Sequence, residues 1–180
     1  AYQYIITGNI FTGDVFCDSY YKSNTGYRNF YQIIIMDKSH WKKLENLFLG
    51  ANIQQMYPGI SIQISANEAC ITWPVESGHF HGGNALHGAA YFKLLDDAAY
   101  FAAASIHTTS FLVTGKYSIK YIKPVYSGVI TAKGVLAEPS GKYFKSSSRL
   151  FNETGELLAE GSGIFIPTTT LWSSLKAYHM

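Results

Sequence analysis

Two carboxylates stand side by side at Asp96 and Asp97, inside a run that is otherwise almost wholly apolar, from about Ala89 to Ser105. A charge in such a setting is costly unless it is paired, hydrogen-bonded or reached by water. Successive helix residues point about 100° apart, so the two acids face different surroundings. One reading gives a carboxylate beside a polar cleft, available for catalysis. The other has one acid capping a neighbouring loop. A second feature lies just upstream, where Leu86-His87-Gly88-Ala89 leads from loop into helix. The amides at a helix start are unpaired and favour negative charge, and a glycine there lets a ligand approach the backbone closely. Such a terminus can polarise a carbonyl.

These residues need a scaffold. Trp41, Leu44, Leu47 and Phe48 share one face of a helix expected from Asp37 or Ser39, as cap, to about Leu49, with Gly50 ending it. Alternation over Ile60–Ser65 and Ala69–Trp73, around the turn Asn67-Glu68, predicts a hairpin that Pro74 closes. The run 89–105 is apolar around most of its circumference and predicts a buried helix. Four strand-like segments follow, at Phe111–Tyr121, Val129–Ala137, Lys142–Phe151 and Leu157–Ile166, with Pro167 ending the last. An antiparallel meander of that size must cover one side, and the single long apolar helix is the element able to do so. A curled sheet around one central helix, an α+β class, is therefore expected. The division read from the sequence is an extension at 1–36, a core domain at 37–167 and a tail at 168–180, in which Leu171, Trp172 and Leu175 suit a short helix. Within the extension, Tyr2–Thr7 and Tyr31–Ile35 are β-like pieces.

The net charge of the 180 residues is only +2, which does not imply a nucleic-acid partner. Seven cations lie between residues 110 and 150 against the single Glu138: Lys116, Lys120, Lys123, Lys133, Lys142, Lys145 and Arg149. Either a small anionic ligand or a solvated strand face accounts for them. The two cysteines, Cys17 and Cys70, lack zinc-type or CxxC spacing, and Cys70 reads as a buried small hydrophobe. His79, His81 and His87 are too few for a structural zinc, so no metal is expected. No apolar run spans a bilayer and no signal-peptide pattern opens the chain, so a cytoplasmic location is expected.

The run LHGAAYFKLLDDAA resembles the HGG-x-x-x-x-L-x-D-x-A signature of the phenylacetyl-CoA-type thioesterases of the hotdog superfamily. YSIKYIKPVYSG is similar to that family's basic, Pro-containing strand, and GKYFKSSSRLFNETGELLAEGSGIF to its closing hairpin; the likeness covers about residues 40–167. It implies a hotdog fold and hydrolysis of an acyl-CoA thioester, with coenzyme A present only as part of the substrate and no other cofactor. Asp96, eight residues after Gly88, takes the place of the general base or nucleophile. Gly88 N–H becomes the oxyanion donor. His81 stands where the family has Asn, and Thr114, ten residues before Pro124, supplies a hydroxyl. His87 supports the substrate loop, while Lys120, Lys123, Lys142 and Lys145 are candidates for the phosphates. The resemblance further implies a homodimer or dimer of dimers, with the helix acid from one protomer and the strand hydroxyl from the other. The second glycine of the motif is Ala89 here. Tyr91, Phe92 and Tyr121 either line an acyl tunnel or fill the core. Two rivals stand beside this reading. Gly78-His79-Phe80 matches a run of hotdog dehydratases, but their acid would fall at Lys93. A non-catalytic acyl-CoA-binding module is the other.

Overall fold

The structure, a computed structural model, describes residues 30–139 and 142–179. The expectations placed on residues 1–29, Cys17 included, lie outside it. The central helix α2 (Gly88–Ala104) is enclosed as expected, with Leu94, Leu95, Ala98, Ala99 and Ala102 fully buried. Alanine is the strongest helix former and also has a very small side chain, so this helix forms readily and lets the sheet come close. The closest approach is at Gly134, where an added Cβ would collide with the backbone carbonyl of Ala98.

Among the described residues the sheet has six antiparallel strands: β1 (Ser61–Ser65), β2 (Glu68–Pro74), β3 (Ser110–Tyr121), β4 (Val129–Pro139), β5 (Phe144–Asn152) and β6 (Leu157–Leu171). Its order is β1-β2-β4-β5-β6-β3. This is the curled hotdog arrangement, but not a simple meander, because α2 carries the chain from β2 across to the far edge. The long strand β3 therefore sits at an edge beside β6. Asn67 turns the β1–β2 hairpin with φ of 66°, a left-handed conformation that Asn tolerates.

Several sequence expectations need correction. The first helix, α1 (Phe30–Leu49), opens well before Asp37 and Ser39, so neither is its cap, and Tyr31–Ile35 is helical rather than β-like. Residue 36 thus lies inside a helix. Pro167 does not end β6, which runs on to Leu171; Pro167 pairs with Leu112 at a register shift, where a missing N–H is tolerated. Trp172 is then buried in a short 3-10 turn. Cys70 is half-buried on the outer face of β2, while Ala69, Ile71 and Trp73 point to the core. The cations also lie outside. The register lines up Gln63, Cys70, Lys133, Arg149, Glu160 and Lys120 in one row across all six strands, which favours a solvated face over a single anion site.

Helix α1 secures the far end of α2. His40 Nε2 donates to the Ala104 carbonyl at 2.8 Å and Trp41 Nε1 to the Ser105 carbonyl at 2.9 Å. These carbonyls have no partner within the helix, so two ring N–H groups take the place of a glycine cap. His40, which carries no signal in the sequence, is 5% exposed because of this role. Among the described residues no helix is long and apolar enough to cross a membrane.

The close contact at Gly134 yields a test. Gly134→Val should destabilise the fold by about 2–3 kcal/mol or more, since the collision is with backbone that cannot move aside. Urea unfolding of the variant against the parent chain measures this directly.

Candidate functional site

Helix α2 and the edge strand β3 together frame the site. On α2, Gly88, Phe92 and Asp96 follow at four-residue spacing and share one face, turned toward β3. Asp97, one step round, faces α1. Lys93, one turn earlier, donates to Asp97 Oδ2 at 2.7 Å, and its ammonium lies 5.0 Å from the Phe48 ring centroid and 4.8 Å from that of Tyr57. Asp97 therefore belongs to a closed ion pair. Burial raises its pKa, and Lys93 opposes the rise.

Asp96 meets the other environment. The Thr114 hydroxyl reaches both carboxylate oxygens at 3.2 Å. The acid is half-buried, at the rim between helix and strand. Burial first, and the neighbouring Asp97 second, raise its pKa to about 6, with the Thr114 hydrogen bond and Lys93 opposing. Within this one chain the helix acid and the strand hydroxyl already meet.

A bulge in β3 makes this possible. Thr114 pairs with Phe165 and Lys116 with Ile164, so Gly115 is an extra residue that reverses the alternation. Thr114 before the bulge and Tyr117, Ile119 and Tyr121 after it all face the helix. Strict alternation would place Thr114 and Tyr117 on opposite faces. Tyr117 O–H lies 2.5 Å from Ser148 Oγ, and burial, with the Asp96 charge a lesser cause, pushes its phenol pKa up.

The helix start has its own cleft, of about 400 Å³, lined in part by His81, Gly88, Tyr91, Tyr121 and Lys123. His87 Nδ1 accepts from Ala89 N–H at 3.0 Å and is the N-cap of α2. His87 thus orders the loop and the helix start. His81 Nδ1 accepts from Gly83 N–H at 2.9 Å. The Tyr121 hydroxyl donates to the Gly88 carbonyl at 3.2 Å and lies where an added Cβ on Gly88 would be crowded. Among the described clefts, Asp96 and Thr114 line none.

The structure thus brings together two of the expected groups, Asp96 with Thr114 and Gly88 with His81 and Lys123, and separates the pairs along α2. It does not gather the four lysines. Lys123 bonds Glu156 and Lys120 pairs with Glu160 at 3.7 Å, while Lys145 sits at the other end of β5 from the strand end beside Lys123, and Lys142 precedes it in sequence. Sequence reasoning missed Lys93 as the partner of Asp97, although the four-residue spacing on a helix was a readable signal. It also missed Tyr117, which no spacing reveals because the bulge sets its direction. Among the described residues no group of His, Cys, Asp and Glu is placed to hold a metal ion.

Comparison with known proteins agrees with the motifs. Residues 78–159 match the model of the thioesterase superfamily. The PaaI protein of the E. coli phenylacetic acid degradation operon is 18% identical, with 75% of this chain and 97% of that one covered at a TM-score of 0.68. A conserved protein of Pseudomonas aeruginosa is 21% identical over 66% of this chain and 94% of its own, with a TM-score of 0.60. A variant of the phenylacetic acid degradation protein PaaI from Thermus thermophilus is 18% identical over 66% and 100%, with a TM-score of 0.59. No curated protein matches. The hotdog fold and the resemblance read from the sequence are borne out.

The raised pKa of Asp96 has a consequence for stability. A carboxyl that holds its proton more tightly when folded stabilises the fold below about pH 4, and that contribution is lost as pH rises through about 6. Asp96→Asn, which keeps the shape and can still accept from Thr114, should therefore melt higher than the parent at pH 8. The difference should vanish near pH 4, and melting curves across that range decide it.

Proposed function

We propose that this chain, with its hotdog fold and a thioesterase-superfamily match across the helix and the strands around it, is a thioester hydrolase acting on an acyl-CoA. Asp96 is its general base or nucleophile and Gly88 N–H its oxyanion donor. The observation that carries the reading is the Asp96 carboxylate: half-exposed, anchored by Thr114, and with its pKa raised to about 6. A carboxylate of that kind is ionised at neutral pH yet basic enough to take a proton from water. The cation that could have neutralised it, Lys93, is engaged by Asp97.

Gly88 and Asp96 of one chain cannot serve the same carbonyl. Eight residues of helix separate them by about 12 Å, whereas a reacting atom must lie about 3 Å from both groups. The site is thus completed by a second copy of the chain. Tyr121 touches Gly88 and Thr114 touches Asp96, so β3 carries markers of both half-sites along its length. That strand is an edge of the sheet, with its outer side unpaired among the described residues. A two-fold axis crossing β3 between Thr114 and Tyr121 would set the Asp96 of one copy beside the Gly88 of the other. This supports a homodimer, or a dimer of dimers, as the active form.

In the assembled site Gly88 N–H takes the developing negative charge on the thioester oxygen. Asp96 removes a proton from the attacking water, or attacks the carbonyl carbon itself to give an anhydride that water then opens; coenzyme A leaves as the thiol. Thr114 holds the carboxylate in place, and His81 and Lys123 line the entrance beside Gly88. The dehydratase reading finds less support. His79 is wedged between the Tyr57 and Trp73 rings, each 4.8 Å away, and Lys93 occupies the position its acid would need.

Asp96→Asn should lower kcat for thiol release by roughly 10²–10⁴-fold while leaving the circular dichroism spectrum unchanged. In the parent chain kcat/KM should rise with pH through about 6 and then level off, because the ionised acid is the active form. Full turnover by the variant on an acyl-CoA panel, read with a thiol reagent, would remove Asp96 from the mechanism.

A further inference from the structure

The gap between α2 and the β6 side of the sheet, beside Asp96, is where an acyl chain would pass inward from a thioester held at that acid. Tyr117 enters from the edge strand, turned inward by the bulge at Gly115, and its ring lies over Gly161 and Gly163 of β6; a Cβ on either glycine would collide with it. Its hydroxyl is held by Ser148 Oγ at 2.5 Å, and Ser148 in turn donates to the Leu95 carbonyl at 2.7 Å. Leu95 directly precedes Asp96. Phe92, one turn before Asp96, meets the Tyr117 ring edge-on at 5.5 Å between centroids. The ring is therefore fixed at its far end by hydrogen bonds, beneath by two glycines and at its side by Phe92. A side chain held on three sides is a wall, since moving it would break the chain of hydrogen bonds as well as the packing.

We propose that Tyr117 is the specificity-determining residue of this site: its ring plugs the space between α2 and β6, so that the acyl group accepted is short and compact and a long fatty-acyl chain is refused. This rests on the hydrolase reading above. Tyr117 touches none of Asp96, Thr114 and Gly88 through a hydrogen bond, so removing its ring should open this space and leave those groups in place. Apolar volume of this kind discriminates by about 10- to 200-fold per missing or extra methylene at a tight wall.

The test uses the full chain with acetyl-, butyryl-, octanoyl- and palmitoyl-CoA. The parent should favour acetyl or butyryl over octanoyl in kcat/KM. Tyr117→Ala should raise the ratio of octanoyl to acetyl by about tenfold or more. Tyr117→Phe, which keeps the ring and loses the hydroxyl, should keep the parent's ratio. Should the Ala variant fail to fold, Tyr117→Leu should raise the ratio by a smaller factor. The same ratios are read as binding constants by calorimetry in the Asp96→Asn background, where turnover does not interfere. A parent that takes octanoyl as well as acetyl, or a folded Ala variant with an unaltered ratio, overturns the proposal. A parent that releases thiol from no substrate overturns the hydrolase reading instead, and the binding ratios then decide the role of Tyr117 alone.

Discussion

A carboxylate on a helix that a sheet encloses must find either a cation or an opening, because the energy of burying a bare charge exceeds what any packing contact returns. Helix α2 carries two adjacent carboxylates and gives one solution to each. The 100° step between neighbouring residues sends Asp97 toward α1, where Lys93 and two aromatic rings close around it. Asp96 is sent toward the edge strand, where among the described residues a single hydroxyl bonds it, it stays partly exposed, and Lys93 acts on it only as a weaker influence from a distance. The pairing of Lys93 with Asp97 is what leaves Asp96 short of a counter-charge. Closed and open halves of the Asp-Asp step depend on each other, and the proposed chemistry follows from that asymmetry.

The sheet order is what provides the opening. Had β3 followed α2 into the middle of the sheet, Asp96 would face strands on both sides. Because α2 carries the chain across the sheet, β3 lies at an edge, and the helix face holding Gly88, Phe92 and Asp96 lies toward a strand whose outer side is unpaired among the described residues. The same geometry separates the helix start from the acid by two turns. One copy of the chain therefore holds two half-sites, and dimerisation through the β3 edge becomes a requirement of the proposed chemistry as well as a way to cover an exposed strand.

The interior is shaped by residues that have no side chain to contribute. Gly134 lets the backbone of α2 rest against β4, and Gly161 and Gly163 make the bed in which Tyr117 lies. Gly115 has a different role, as the extra residue that reverses the facing of β3. Two glycines of β6 thus set how deep the space beside Asp96 can be, and one aromatic residue on a neighbouring strand fills it. At the other end of α2, His40 and Trp41 take the final carbonyls, so that the helix is held at both termini: by His87 at its start and by α1 at its end.

Much of this was legible in the chain of residues. Apolar periodicity is a local property, and it marked α2, the β1–β2 hairpin and the approximate bounds of the later strands. The misplaced Asp96-Asp97 pair in an apolar run, and Gly88 at the head of that run, marked the candidate site for the same reason: they break a local rule at a cost. Other features depend on which elements meet, and no spacing encodes them. The strand order and the passage of β6 through Pro167 are of this kind. So is the inward turn of Tyr117, since one extra residue in a ladder inverts every side chain beyond it only relative to a partner strand. Residue order alone settled which positions could bear a charge and which could form a buried rod. Folding settled which of two neighbouring acids was neutralised and which was left open, because that choice rests on contacts between segments far apart in the chain.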